Sequence, residues 1–108
     1  MRNQHDIDRF TLAFHKRAVT YLRQDGRLLE QAQATLDRWQ AQRGITAPDP
    51  YFDQWRALLR TGVDAVERAV CVESSKAAAL RNMSPLGFVL DPVERMALHW
   101  HVKAPDAA

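Results

Sequence analysis

Apolar residues recur at spacings of three and four along most of this chain, which is the pattern of amphipathic α-helices. The first stripe covers residues 6–24 and the second covers residues 28–43, with Asp25-Gly26 as the turn between them. Because a short turn forces consecutive helices to lie side by side, this pattern predicts an antiparallel helical hairpin.

The strongest periodic signal lies in the middle of the chain, from Pro50 to Val70. Asp49 suits the N-cap of this helix and Pro50 its first position. Gly62 lowers helix propensity by about 1 kcal/mol relative to Ala. The apolar stripe nevertheless continues through it, so we expect one long third helix, with at most a bend at Gly62.

Two short helices are predicted in the C-terminal third. Ser74 or Ser75 suits the N-cap of a helix over residues 76–83, and a near capping box precedes a helix over residues 92–101. The apolar segment 86–90 between them is too short for a stable helix and is interpreted as a packed connector.

These elements predict a single all-α domain over residues 1–108, with four to five helices. The N-terminal hairpin packs on the long third helix, and the short C-terminal helices close one end. Trp39, Trp55 and Leu59 lie on the apolar stripes and are expected to share one core. Residues 1–5 and 103–108 have little to bury and are expected to fray.

The composition is that of an ordinary globular protein, with 46% hydrophobic and 26% charged residues. The single cysteine, Cys71, cannot form an internal disulfide and has no neighbouring Lys or His to activate it, so we expect an inert thiol. No apolar run is long enough to cross a bilayer, and the first residues lack a signal-peptide core. We therefore expect a cytoplasmic protein with no membrane partner and no cofactor.

The charge is only mildly asymmetric. The formal net charge is +2, distributed as +3 over residues 1–43 and −1 over residues 44–108. Such a balance does not by itself indicate a nucleic-acid surface, but it leaves an accessory nucleic-acid binder as an alternative. The cations that would serve it lie on the first two helices: Arg9, Lys16, Arg17, Arg23, Arg27, Arg38 and Arg43.

Enzymatic signatures are weak. His99 and His101 point to different sides of a helix and cannot share a metal ion there. An all-α ribonuclease that places Arg a few residues before His matches Arg95 with His101 and Arg9 with His15. With so many arginines, about one such match is expected by chance. A ribonuclease using Arg95 and His101 is kept as the enzymatic alternative.

The segment over residues 80–90 is the hardest to explain as scaffold, because it joins two short helices through an apolar loop. In one interpretation Leu86, Phe88 and Leu90 close the end of the bundle. In the other, the segment is a partner-binding edge. The partner-binding residues would then be Arg81, Ser84, Pro85, Leu86 and Phe88.

A set of residues between positions 36 and 95 resembles a group of small, mostly uncharacterised bacterial α-helical proteins. The matching residues are Trp39, Tyr51, Trp55, Leu58-Leu59, Leu80-Arg81, Ser84-Pro85, Gly87, Leu90 and Glu94-Arg95. The chain departs from that pattern in having Leu86 in place of Phe, and Phe88 after the glycine. The resemblance implies no catalytic residue and points to a regulator or antitoxin-like protein.

We therefore expect a non-catalytic cytosolic protein-interaction module. Its partner would be another protein or a second copy in a homodimer, with nucleic acid bound only weakly or indirectly.

Overall fold

The computed structural model describes residues 4–43 and 50–103, and these two ranges are helical apart from short turns. A 3-10 turn at Gly87–Val89 precedes the last helix. The α-helices are α1 Gln4–Gln24, α2 Arg27–Arg43, α3 Pro50–Thr61, α4 Val63–Val70, α5 Ser75–Asn82 and α6 Pro92–Lys103. The described part of the chain contains no strand, which confirms the all-α class.

Gly62 divides the predicted third helix into α3 and α4. Its φ of +127° and ψ of 178° lie in a region that residues with a side chain rarely adopt. Its amide donates to the carbonyl of Leu58, and its carbonyl accepts from the amide of Val66. One residue thus ends α3 and begins α4. The prediction of one continuous third helix is wrong, and the described residues form six α-helices rather than four to five.

α1 is the central helix and packs against α2, α4, α5 and α6, while α2 packs against α3. The predicted hairpin therefore rests on both halves of the divided third helix. Trp55 and Leu59 are buried in the main cluster and Trp39 packs against it partly buried, which confirms the predicted shared core. The indole N–H of Trp55 donates to the carbonyl of Leu80 at 2.9 Å and so links α3 to α5.

Short-range capping signals fix where α5 and α6 begin. Oγ of Ser74 accepts from the amide of Ala77 at 3.0 Å, and Oδ1 of Asp91 accepts from the amide of Glu94 at 2.8 Å. These bonds satisfy amides that a helix start leaves unpaired. The proposed N-cap Asp49 lies outside the described residues, as do residues 1–3 and 104–108 of the two ends expected to fray.

The connector between α5 and α6 is packed, as predicted, but not through all its apolar residues. Leu86 and Leu90 are buried in the core. Phe88 is instead 40% exposed, so the interpretation in which it helps to close the end of the bundle is wrong for this residue. None of the described helices is both long enough and apolar enough to cross a membrane.

Candidate functional site

α6 exposes three large apolar side chains along one face. Val93 is 80% exposed, Met96 56% and Trp100 59%. Their spacings of three and four residues place them within one narrow sector of the helix, since successive residues are about 100° apart. We call Val93, Met96 and Trp100 the α6 stripe.

Other sides of α6 carry its contacts with the rest of the fold. Leu98 packs against the main core. The ring of His99 meets the ring of Phe10 edge-on, with 5.5 Å between their centroids. The α6 stripe is therefore not the side by which the helix joins the fold, and α6 carries apolar residues on two opposite sides.

A polar cluster also fixes α6 against α1. Oε2 of Glu94 accepts from the hydroxyl of Tyr21 at 2.5 Å and lies 3.2 Å from Nη1 of Arg17. The hydrogen bond to the Glu94 carboxylate raises the pKa of Tyr21, because losing the phenolic proton would place two negative groups side by side. This cluster fixes the position of the first turn of α6 relative to α1.

Arg95 anchors α6 to the connector that precedes it. Its Nη2 donates to the carbonyl oxygens of Gly87 and Leu90, and its guanidinium carbon lies 5.7 Å from the centroid of the Phe14 ring. His101 is exposed further along α6. The six-residue separation places the two side chains roughly 120° apart around the helix, so the structure does not bring Arg95 and His101 together as a catalytic pair. The enzymatic alternative stays a prediction.

Arg81, which was predicted to bind a partner, is buried and donates hydrogen bonds inside the fold. Its side chain donates through Nη1 to the carbonyls of Val70 and Val72, each at 2.8 Å, and through Nε to Oγ1 of Thr11 at 3.3 Å. These bonds satisfy carbonyls at and just beyond the C-terminal end of α4, where a positive charge is also favoured by the helix dipole.

Ser84 belongs to a second internal chain of hydrogen bonds. Nδ1 of buried His15 lies 2.7 Å from the carbonyl of Thr11, and Nε2 lies 2.7 Å from Oγ of Ser84. Because a carbonyl only accepts, Nδ1 carries the proton of the neutral ring and Nε2 accepts from Ser84. Oγ of Ser84 in turn accepts from the amide of Leu86 at 3.1 Å. Burial lowers the pKa of His15 to about 4, and the nearby Arg81 charge acts in the same direction.

The five predicted partner-binding residues are therefore mostly structural. Arg81, Pro85 and Leu86 are buried, and Ser84 is half-buried against His15. These four make internal contacts, and their predicted role in binding a partner stays a prediction. Phe88 is the exposed member, in the turn immediately before α6. Its role in binding a partner stays a prediction.

Sequence reasoning did not single out the α6 stripe, although its signal is present. Val93, Met96 and Trp100 follow the i, i+3, i+7 spacing of a helix face. Leu98 lies on another face of the same helix and is the one that packs inward. The sequence shows that this short helix has two apolar faces, but it does not show which of them packs inward and which is exposed.

The cations proposed to bind nucleic acid are partly neutralised by acids. Arg23 contacts both Asp64, at 2.7 Å, and Glu67, at 2.8 Å. Arg17 contacts Glu94, and Arg27 contacts Asp25. Carboxylates beside these guanidinium groups reduce the positive potential available to a phosphate. The nucleic-acid alternative stays a prediction.

Residue types suited to metal binding or thiol chemistry are not assembled into a site. Across residues 4–43 and 50–103, no three His, Cys, Asp or Glu side chains form a group that could hold a metal ion. Cys71 is half-buried, and burial raises the pKa of its thiol to about 11. Its nucleophilic thiolate is therefore scarce at neutral pH.

Comparison of the sequence with known protein families and curated proteins, and of the fold with solved structures, found no significant match.

Proposed function

We propose that this chain is a non-catalytic protein-interaction module that binds a partner protein through the α6 stripe. The observation that carries the proposal is the exposure of Val93, Met96 and Trp100 on the face of α6 that points away from the core. The partner we propose presents a helix or groove lined with apolar side chains at matching spacing.

The size of the stripe supports this function. With the exposures given above, the three side chains present roughly 400 Å² of apolar surface, given that a large apolar side chain has about 150–250 Å² to bury. Single exposed apolar residues are common on protein surfaces, but contiguous patches of this size often mark binding sites. Trp is also one of the residue types that most often dominate interface energetics.

The backbone that carries the stripe is anchored at the first turn of α6 before any partner arrives. Tyr21 and Arg17 fix Glu94 in the first turn of α6, and Arg95 is tied to the connector carbonyls. A surface that is already ordered loses little conformational entropy on binding. This favours α6 over a mobile loop as the recognition element.

The packing of α6 favours a protein over a membrane surface. Helices that lie in a lipid interface carry Lys and Arg on a solvated face opposite the apolar one. In α6 the side opposite the stripe is not solvated, because Leu98 packs against the core and Arg95 is directed to the connector carbonyls.

The finer role we propose is that of a regulator or antitoxin-like partner in the bacterial cytoplasm. It is supported by the resemblance carried by residues such as Trp55, Ser84-Pro85 and Glu94-Arg95. The internal roles found for Ser84 and Arg95 suggest that this pattern preserves the scaffold that presents α6.

Site-specific photocrosslinking in cells tests the proposal. A photoreactive phenylalanine analogue is placed at position 96 and, as the matched control, at position 68. Both Met96 and Arg68 are exposed helical positions, but Arg68 lies on α4, outside the stripe. We expect a discrete protein adduct from position 96 and none from position 68. Absence of an adduct from position 96 above the control would overturn the proposal.

A further inference from the structure

We infer that the partner at the α6 stripe is a second copy of this chain, packed antiparallel to the first about a two-fold axis near Met96 and Ala97. The inference rests on the proposed function and names its partner. A two-fold interface uses the same patch on both copies, so the patch must be complementary to itself.

The order of side-chain sizes along the stripe meets this requirement. Val93, which has the smallest side chain of the stripe, lies at one end and Trp100, which has the largest, at the other, with Met96 and exposed Ala97 between them. An antiparallel pair centred between Met96 and Ala97 places Val93 of each copy against Trp100 of the partner subunit. Large residues then oppose small ones, as close packing requires.

A parallel pair would pack the same residues poorly. Trp100 would oppose Trp100 of the partner subunit and hold the helices apart, while Val93 at the other end would face a gap. Ala97 in the middle of the stripe is small enough to let two helices approach to about 8–10 Å, the usual distance between packed helices. The stripe therefore selects the antiparallel arrangement.

The helix dipoles act in the same direction. Antiparallel packing sets the positive N-terminal end of each α6 beside the negative C-terminal end of the other, whereas parallel packing places like ends together.

The area predicts an association of moderate strength. Two fully covered stripes contribute at most roughly 800 Å², and Ala97 adds to this, so the total lies at the low end of specific interfaces, near 1,000 Å². Because interfaces at this lower end bind weakly to moderately, we expect a dissociation constant in the micromolar range, on the order of 1–100 µM.

Sedimentation equilibrium of the purified full chain, from about 5 to 500 µM, tests the inference. The wild type should show a reversible monomer–dimer equilibrium. Met96→Lys should weaken it at least tenfold, because a charge would be buried at the centre of the interface. Val72→Lys is the matched control, since Val72 is an exposed apolar residue outside α6, and it should leave the equilibrium unchanged. Circular dichroism checks that both variants stay folded.

Disulfide crosslinking tests the orientation in a Cys71→Ser background. Ala97→Cys lies near the proposed axis and should form a covalent dimer on mild oxidation. Val93→Cys should not, because antiparallel packing separates the two copies of position 93 by roughly 10 Å along the helix, beyond the 7 Å or so that a disulfide spans between Cα atoms. Crosslinking of Val93→Cys with itself would overturn the antiparallel dimer.

The failures of the two proposals are distinguishable. A wild-type chain that stays monomeric up to 500 µM overturns the self-association. If position 96 then still yields an adduct with a different protein, the proposed interaction function stands. If position 96 yields no adduct with any protein, the proposed function fails as well.

Discussion

Nε2 of His15 lies 2.7 Å from Oγ of Ser84, which is 69 residues further along the chain. This contact joins the middle of α1 to the turn after α5. The same Oγ of Ser84 also accepts a hydrogen bond from the amide of Leu86. The connector that leads to α6 is thereby tied to the central helix. The exposed face of α6 thus depends on buried hydrogen bonds that lie outside it.

The neutral state of His15 predicts a loss of stability in mild acid. Its folded pKa of about 4 lies below the ordinary value of 6.5, so the unfolded chain binds this proton more readily than the folded one. The stabilisation is complete above about pH 6.5 and declines as the pH falls towards 4. At about pH 4.5 the loss should be roughly 2–3 kcal/mol.

Urea denaturation at about pH 7 and pH 4.5 measures this loss. His15→Gln cannot titrate and should lose less stability than the wild type between the two pH values. The carboxylates of Asp25 and Asp64, whose pKa values are lowered by Arg27 and Arg23, titrate mainly below this window. An equal pH dependence in wild type and variant would show that His15 is not the responsible group.

Arg81 should act as a structural residue rather than a binding residue. Arg81→Met keeps much of the side-chain volume but leaves the carbonyls of Val70 and Val72 without this donor. Leaving the buried carbonyl of Val70 and the partly buried carbonyl of Val72 without this donor should cost about 3 kcal/mol in the free energy of unfolding. Arg60→Met, at an exposed position on α3, is the control and should change it by less than about 0.5 kcal/mol. Equal unfolding midpoints would contradict the assignment.

Gly62 should resist substitution because of its backbone conformation. A Cβ at this position meets no atom within 4 Å, so Gly62→Ala creates no clash. The φ of +127° is still strained for alanine and should cost roughly 1–3 kcal/mol. Gly26→Ala, which also meets no atom within 4 Å and is not held at positive φ, should be neutral or slightly stabilising. Thermal unfolding of both variants compares them, and similar midpoints would argue against the break at Gly62.

Trp55 should be the most sensitive core position. It is fully buried, and Trp55→Ala should cost about 3–5 kcal/mol, enough to unfold a domain of this size. Trp55→Phe should cost less, because it keeps most of the apolar volume but leaves the carbonyl of Leu80 without its donor. A guanidinium titration ranks the variants, and a Trp55→Ala protein as stable as the wild type would contradict the description of this core.

The parts of the fold that sequence predicted correctly are those set by neighbouring residues. Ser74 and Asp91 cap helices through bonds to amides three residues away, and such spacings can be read directly from the chain. The apolar positions of Trp55 and Leu59 likewise follow helical periodicity.

The errors arise where distant groups or backbone angles decide the outcome. Gly62 interrupts the helix through its positive backbone angle φ. The apolar stripe depends only on where hydrophobic residues lie, so it shows no interruption there. The internal role of Arg81 could not be predicted from the sequence, because its acceptors at Val70 and Val72 come from the end of another helix. Which face of α6 is exposed depends on how α1 packs against it, which periodicity does not encode.

The most direct test of the docking face combines photocrosslinking at position 96 with Trp100→Ala. Trp100 is exposed, so the variant should keep its free energy of unfolding within about 1 kcal/mol of the wild type. As the largest residue of the stripe it should nevertheless carry about 2 kcal/mol or more of the binding energy. The adduct yield at position 96 should fall at least tenfold in the folded variant. An unchanged yield would contradict binding through the α6 stripe.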